Sequence, residues 1–343
     1  MKRLSGIALA VLSLAMLADV GGAIAQPAPG KAVPLPTPSP EGSTLPAPTT
    51  AAAAADAALA PSTSRPSEGS IRAYGAYQRG LYLTALALAE PLANLGDPAA
   101  QTLLGEIYSR GLGVKRDEKE AARWYEAAAK AGSAEGQFRY ALLLLDGRSV
   151  PQDLAKARDL MKLAADAGIP LAAYNFGQML IQASPTGGFA EARPYFEMSA
   201  KAGVADSQYA MSQLYAYGRG IAAPDLPTAR RWLLAAATNG HDTAQIELGI
   251  WLINGKGGPS SAGDGARWLR RAAGHGNPIA MNRIAHLYKD GIGVVADKAE
   301  AAKWSVLAKR ADNTDAVLDE FFRKLDEASQ RAALEAANKF RAS

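Results

Sequence analysis

No cysteine occurs among the 343 residues. That excludes disulfides, thiolate metal sites, cysteine nucleophiles and lipid attachment at a cysteine cleavage site. Histidine is scarce as well: the three present, His241, His275 and His286, do not have i, i+4 spacing, so a histidine-centred metal site lacks its ligand pattern. Runs rich in Val, Ile and Thr are missing, whereas alanine, the best helix former and a poor strand former, is abundant. The formal charge is only +4 and no dense Lys/Arg block exists, which argues against nucleic acid as a partner. Beyond the N-terminus no apolar run is long enough to span a bilayer. No Gly-x-Ser-x-Gly is present and no catalytic constellation stands out, so the chain reads as a non-enzyme without cofactor or metal.

What is present begins with "MKRLSGIALAVLSLAMLADVGGAIAQ". Lys2 and Arg3 precede the apolar stretch Leu4 to Leu17, and Ala23-Ile24-Ala25 has the small-x-small form of a cleavage site. Residues 1–25 read as a secretory signal peptide, with Gln26 as the mature N-terminus and a periplasmic or secreted destination. The alternative is a short uncleaved anchor; after cleavage no stable membrane insertion is expected. Residues 26–68 are dominated by Pro, Ala, Thr, Ser and Gly. Such a segment cannot bury enough apolar surface to offset its ordering entropy, and it reads as a disordered linker.

A fixed period follows. Gly132, Gly168, Gly203, Gly240 and Gly276 each close an alanine-rich stretch, at spacings of 36, 35, 37 and 36. Gly96 and Asp312 extend the series by 36 at either end. A period of this length indicates a solenoid of helical hairpins. Eight residues before each terminator stand Trp124, Leu160, Tyr195, Trp232, Trp268 and Trp304, a column expected in the core. Small residues recur at Gly105, Ala141, Gly177, Ser212, Gly249 and Ala285, where a second helix can approach closely. In the first unit helix A is predicted over 99–110, Asp117 as the N-cap of helix B, and Gly132 as its left-handed terminator.

"LGEIYSRGLGVKRDEKEAARWYEAAAKAG" (104–132), "LYAYGRGIAAPDLPTARRWLLAAATNG" and "LYKDGIGVVADKAEAAKWSVLAKRAD" resemble the Sel-one-like repeat (SLR), a relative of the tetratricopeptide repeat (TPR). Six units cover 97–312, with altered turns in the third and fifth. The resemblance implies an all-α fold, a right-handed α-solenoid of helical hairpins in a TPR-like superhelix. It also implies an adaptor or regulatory role toward a protein or peptide partner, and envelope signalling or assembly is the setting expected of an exported member. Residues 69–96 read as a leading hairpin and 313–343 as C-terminal capping helices, with Val317, Leu318, Phe321, Phe322 and Leu325 on one helical face.

The paired glycines Gly111–Gly113, Gly218–Gly220, Gly255–Gly257 and Gly291–Gly293 recur at every such turn without a preceding strand, so they read as turn residues rather than a phosphate cradle. A stripe at i, i+4, i+7 remains on the first helices: Thr102/Glu106/Ser109, Phe138/Leu142/Leu145, Tyr174/Gln178/Ile181, Tyr209/Gln213/Ala216, Ile246/Ile250/Ile253 and Asn282/His286/Lys289. Its middle is apolar or aromatic and its ends are polar, the composition of an interaction surface. The candidate partner-binding residues are Phe138, Leu142, Tyr174, Gln178, Tyr209, Gln213, Ile246 and Ile250, expected to be exposed along a concave groove. The alternative places them against adjacent helices. A further alternative is a peptidoglycan or glycan-binding module using Tyr174 and Tyr209, or an accessory factor of a cell-wall enzyme.

Overall fold

The computed structural model describes residues 67–184 and 187–342. The signal peptide and the linker up to residue 66 lie outside the described residues. The helical array starts earlier than the composition suggests: Ser67 is already the N-cap of the first helix and Glu68 its first residue. Among the described residues all regular structure is helical. The helices are α1 (Glu68–Gln78), α2 (Tyr82–Asn94), α3 (Pro98–Arg110), α4 (Glu118–Lys130), α5 (Ala134–Asp146), α6 (Leu154–Asp166), α7 (Pro170–Ala183) and α8 (Gly188–Lys201). They continue as α9 (Ala205–Tyr217), α10 (Leu226–Thr238), α11 (Asp242–Asn254), α12 (Ala262–Gly274), α13 (Pro278–Asp290), α14 (Lys298–Arg310), α15 (Ala316–Arg323) and α16 (Glu327–Lys339). Odd-numbered helices up to α13 open a hairpin and even-numbered ones close it. From α1 to α15 each packs chiefly on its neighbours in sequence, giving an all-α solenoid.

The hairpin ends follow from the sequence. Asp117 accepts from the backbone of Lys119 and Glu120, and Asp153, Asp225 and Asp297 cap α6, α10 and α14 in the same manner. After α4, Gly132 adopts φ +82°, its N–H bonds the Ala129 carbonyl, and the Ser133 N–H bonds that of Ala128. This is a Schellman closure, and the alanine pair Ala128-Ala129 supplies its two acceptors. The same bonds recur at Gly168, Gly203, Gly240 and Gly276. Asp312 makes them at φ +60°, as the non-glycine member of the series.

The core column lies one residue beyond its predicted place. Tyr125, Met161, Phe196, Leu233 and Leu269 are almost wholly buried, whereas Leu160, Tyr195, Trp232 and Trp268 are half-buried; only Trp124 and Trp304 of the tryptophan column are buried. The cause is complementarity with the small column. A Cβ on Gly105 would fall 2.5 Å from the Tyr125 ring, and Gly177 and Gly249 face Phe196 and Leu269 in the same way. The large side chain therefore sits over the gap in the facing helix. Three of the four tryptophans beside it carry a cation over the ring: Arg123 over Trp124, Arg271 over Trp268 and Lys303 over Trp304. Each fully buried core side chain contributes about 1.5–3 kcal/mol.

At the C-terminal end α16 packs on α14 through Ala333 and Ala337, and Phe340 meets Trp304 edge-on at 5.4 Å. Leu318 of α15 is buried and Phe322 packs on the same cluster. Val317, predicted on that apolar face, instead points to solvent. A helix as short as α15 buries only the narrow strip that meets α14.

Candidate functional site

The first helices form the inner side of the stack at its N-terminal end: α1 touches α3 and α3 touches α5, whereas no two second helices make comparable contact. The predicted stripe lies on this series. None of its eight named residues is fully exposed. Phe138, Gln213 and Ile246 are buried, and Leu142, Tyr174, Gln178, Tyr209 and Ile250 are half-buried. Exposure at Phe138, Gln213 and Ile246 is thus corrected; Gln213 is turned inward to donate to Glu247. Phe138 belongs to a cluster with Ala141, Met161 and Phe176, and Ile246 to one with Leu269, Met281 and Ile284, because the next hairpin stacks over these positions.

The stripe divides chemically along its length. At the N-terminal end Glu106 is buried; it takes the Arg110 guanidinium at 2.8 Å and the Tyr125 hydroxyl at 3.0 Å, and Arg110 also donates to Tyr77 at 3.1 Å. Next to it Glu135 accepts from Arg139 at 2.6 Å while its second oxygen, Oε2, is buried without a protein partner. Burial pushes the Glu135 carboxyl up despite Arg139, and burial followed by the Glu106 charge pushes the Tyr125 phenol well up. The middle is apolar, with Leu142, Leu145 and Ile181 around Tyr174, whose hydroxyl accepts from Gln178 at 3.1 Å.

Farther along, Tyr209 stacks on His241 with ring centroids 4.3 Å apart, so one of its faces is already occupied. Glu247 binds the Tyr209 hydroxyl and accepts from Gln213 at 3.0 Å. Burial raises the Glu247 pKa, raises that of Tyr209 and lowers that of His241. At the C-terminal end His286 and Asn282 both reach Asp315, the N-cap of α15, at 3.0 and 3.4 Å. Burial alone would raise the Asp315 pKa, but these contacts and the Leu318 N–H hold it at about 2. The buried carboxylates Glu106 and Glu135 with their arginine partners, and the Glu247 contacts, were not legible in the stripe's spacing; Glu106 read only as part of a polar rim.

Two imidazoles have structural partners: His241 caps α11 through Nδ1 and His286 bonds Asp315, the N-cap of α15, while His275 ends α12 through its backbone N–H. Among the described residues no three His, Asp or Glu side chains gather as metal ligands, and no helix is long and apolar enough to cross a membrane. Gly111 and Gly113 sit at φ +67° and +72° in a turn with no strand before it, as punctuation requires.

The sequence pattern of the Sel1 repeat matches residues 98–133, 134–169, 205–241, 242–277 and 278–313. The chain belongs to the Sel1 repeat family. Five units match where six are counted across 97–312; the unmatched stretch is the α7–α8 hairpin, which still stacks in line. A Sel1 repeat protein of Oxalobacter formigenes has the same fold, with a TM-score of 0.60 at 24% identity over 71% of this chain and 97% of that one. A protein of uropathogenic Escherichia coli, described as a protective antigen displaying an SLR fold, gives 0.52 at 26% identity over 76% of this chain and 64% of that one. Chitin synthase regulatory factor 3 of Schizosaccharomyces pombe is 24% identical over 259 residues, 62% of this chain and 28% of its own length. Chitin synthase regulator SKT5 of Saccharomyces cerevisiae is 26% identical over 275 residues, 65% of this chain and 39% of its own length. This Sel1 repeat chain therefore spans well under half the length of those two relatives.

Proposed function

We propose that this Sel1 repeat protein is an exported interaction scaffold, a regulatory adaptor of the cell envelope whose inner face holds a protein or peptide partner. The observation that carries the reading is the half-buried apolar strip of Leu142, Tyr174, Tyr209 and Ile250, bounded by Glu106 and Arg110 at one end and by His286 and Asp315 at the other. Half-burial leaves each side chain an accessible edge, and buried polar neighbours hold the strip in place, which is the composition of a protein interface. Two relatives named as regulators of chitin synthase favour a second, narrower form of the reading: an accessory factor that acts on a cell-wall polysaccharide enzyme. A glycan platform draws less support, because the Tyr209 ring already stacks on His241 and Tyr174 is packed near Phe196.

The test is capture of partners from envelope fractions by the wild type and by Leu142→Glu and Ile250→Glu. Leu142 and Ile250 pack partly on core clusters, so both variants should lose some stability, and the folded variants should lose about 2 kcal/mol or more of binding to the captured partner if the strip is its seat. Stable variants that capture every partner unchanged would sink the reading. Mass spectrometry of the exported chain checks the location, with Gln26 expected as its first residue.

A further inference from the structure

Among the described residues, a first helix that starts on a side-chain cap takes it from oxygen, with one exception. Ser67, Asp97, Ser133 and Asn277 cap α1, α3, α5 and α13 through a hydroxyl, carboxylate or amide oxygen. Ile169 and Val204, before α7 and α9, supply no side-chain bond. At α11 the acceptor is an imidazole nitrogen: the Ala244 N–H donates to Nδ1 of His241 at 3.1 Å. A backbone N–H can only donate, so this contact requires a bare lone pair on Nδ1 and places the ring's proton on Nε2. Oxygen caps remain acceptors in mild acid. A nitrogen cap does not, because its lone pair is where the second proton binds.

The surroundings make that proton costly. Ala244 is wholly buried, and its N–H lies too early in α11 to find a helical carbonyl, so without Nδ1 it is stranded. An imidazolium at the first turn of α11 also stands against the positive end of the helix dipole. The ring is largely buried and stacks on Tyr209 of α9 with centroids 4.3 Å apart. Two charges act on it in the opposite sense: Asp206 of α9, whose Oδ1 is 3.6 Å from Nε2, and Asp242 of α11. Glu247 of α11 bonds the hydroxyl of the same Tyr209. Burial prevails and holds the His241 pKa below its ordinary 6.5. The folded chain therefore favours the neutral ring. The contribution of His241 is complete above about pH 6.5 and is lost as pH falls through its folded value.

We propose that His241 is an acid-operated latch between α9 and α11: protonated at Nδ1, it lets go of the Ala244 N–H, leaves the helix end for Asp206, and frees the first turn of α11 together with the Tyr209 face that it covers. The release is local. α7 and α9 start without a side-chain cap and still stack, so α11 frays at its first turn instead of unfolding. Tyr209 lies in the inner strip, so mild acid alters that strip at one point along its length. The latch works in the free chain and does not rest on the strip being a partner's seat.

The test is amide hydrogen exchange of the full chain, read at Ala244 and corrected for the intrinsic effect of pH on exchange. Between about pH 7.5 and about pH 5 the protection of Ala244 should fall by about fivefold or more. Protection at Ala280, whose N–H is capped by the Asn277 oxygen, should hold. His241→Asn keeps an acceptor that does not titrate and should abolish the fall, whereas His241→Ala should lack the protection throughout. Glu247→Gln removes the buried carboxyl on Tyr209 and should leave the fall intact. In the wild type, with no substitution needed, the NMR shift of the His241 Cε1–H should titrate together with the Ala244 protection. An Ala244 protection that is equal at both ends of the range overturns the proposal. So does a fall that survives His241→Asn, vanishes in Glu247→Gln or is shared by Ala280, and so does a His241 resonance that does not titrate.

Discussion

A single position separates a side chain that holds the solenoid together from one that decorates it. Phe196 is 1% exposed beneath Gly177, whereas Trp232, the larger residue, is half-buried. Phe196→Ala should cost about 3–5 kcal/mol in urea unfolding, and Trp232→Ala clearly less despite removing more atoms. Equal losses would return Trp232 to the core. Asp315 makes a prediction about acid. Its folded pKa of about 2 lies below its ordinary value of 3.8, so its contribution is complete above about pH 4 and is lost as pH falls through 2. Thermal melts between pH 5 and 2 should show that loss, on the order of 1–2 kcal/mol, and Asp315→Asn should flatten it, since asparagine still caps α15 but has no charge to lose.

At the scale of the helix, the irregular third hairpin shows how a repeat absorbs change. Other units put alanine or glycine at both places where a second helix ends against the next first helix, as Ala128 faces Gly136. Here the pair is Ser199 and Ser207, whose buried hydroxyls bond each other at 2.7 Å. Ser207→Ala should cost about 1–2 kcal/mol by stranding Ser199, and the double alanine variant should recover most of it, with a coupling of about 1 kcal/mol in a double-mutant cycle. Additive losses would mean the two hydroxyls are independent. The helix ends, the terminators and the period were legible because each is fixed by one residue type in one local conformation: aspartate at the cap, glycine at positive φ. The core column was not. Tyr125, Met161, Phe196, Leu233 and Leu269 share only bulk, so identity drew attention to the tryptophans beside them. The stripe's burial was hidden for a related reason: i, i+4, i+7 spacing gives the side of a helix but not how far the next hairpin overlaps it.

Across the whole molecule, each end of the stack is a cut surface. Leu318, Phe322, Ala337 and Phe340 cover the C-terminal one, over Met281, Ile284 and Leu307. Deleting 315–343 should lower the melting temperature by several degrees or more and give self-association on size-exclusion chromatography, since a solenoid needs a finished end. A monomer of unchanged stability would show that α14 is end enough. The stacking of α1 to α15 on their sequence neighbours has a kinetic consequence. Contacts this local carry little loop-closure entropy, so the barrier to forming each hairpin is low and does not wait on distant segments. A chain emerging N-terminus first from the ribosome can therefore condense onto what has already emerged, one hairpin at a time, with α15 and α16 arriving after the repeats they cover.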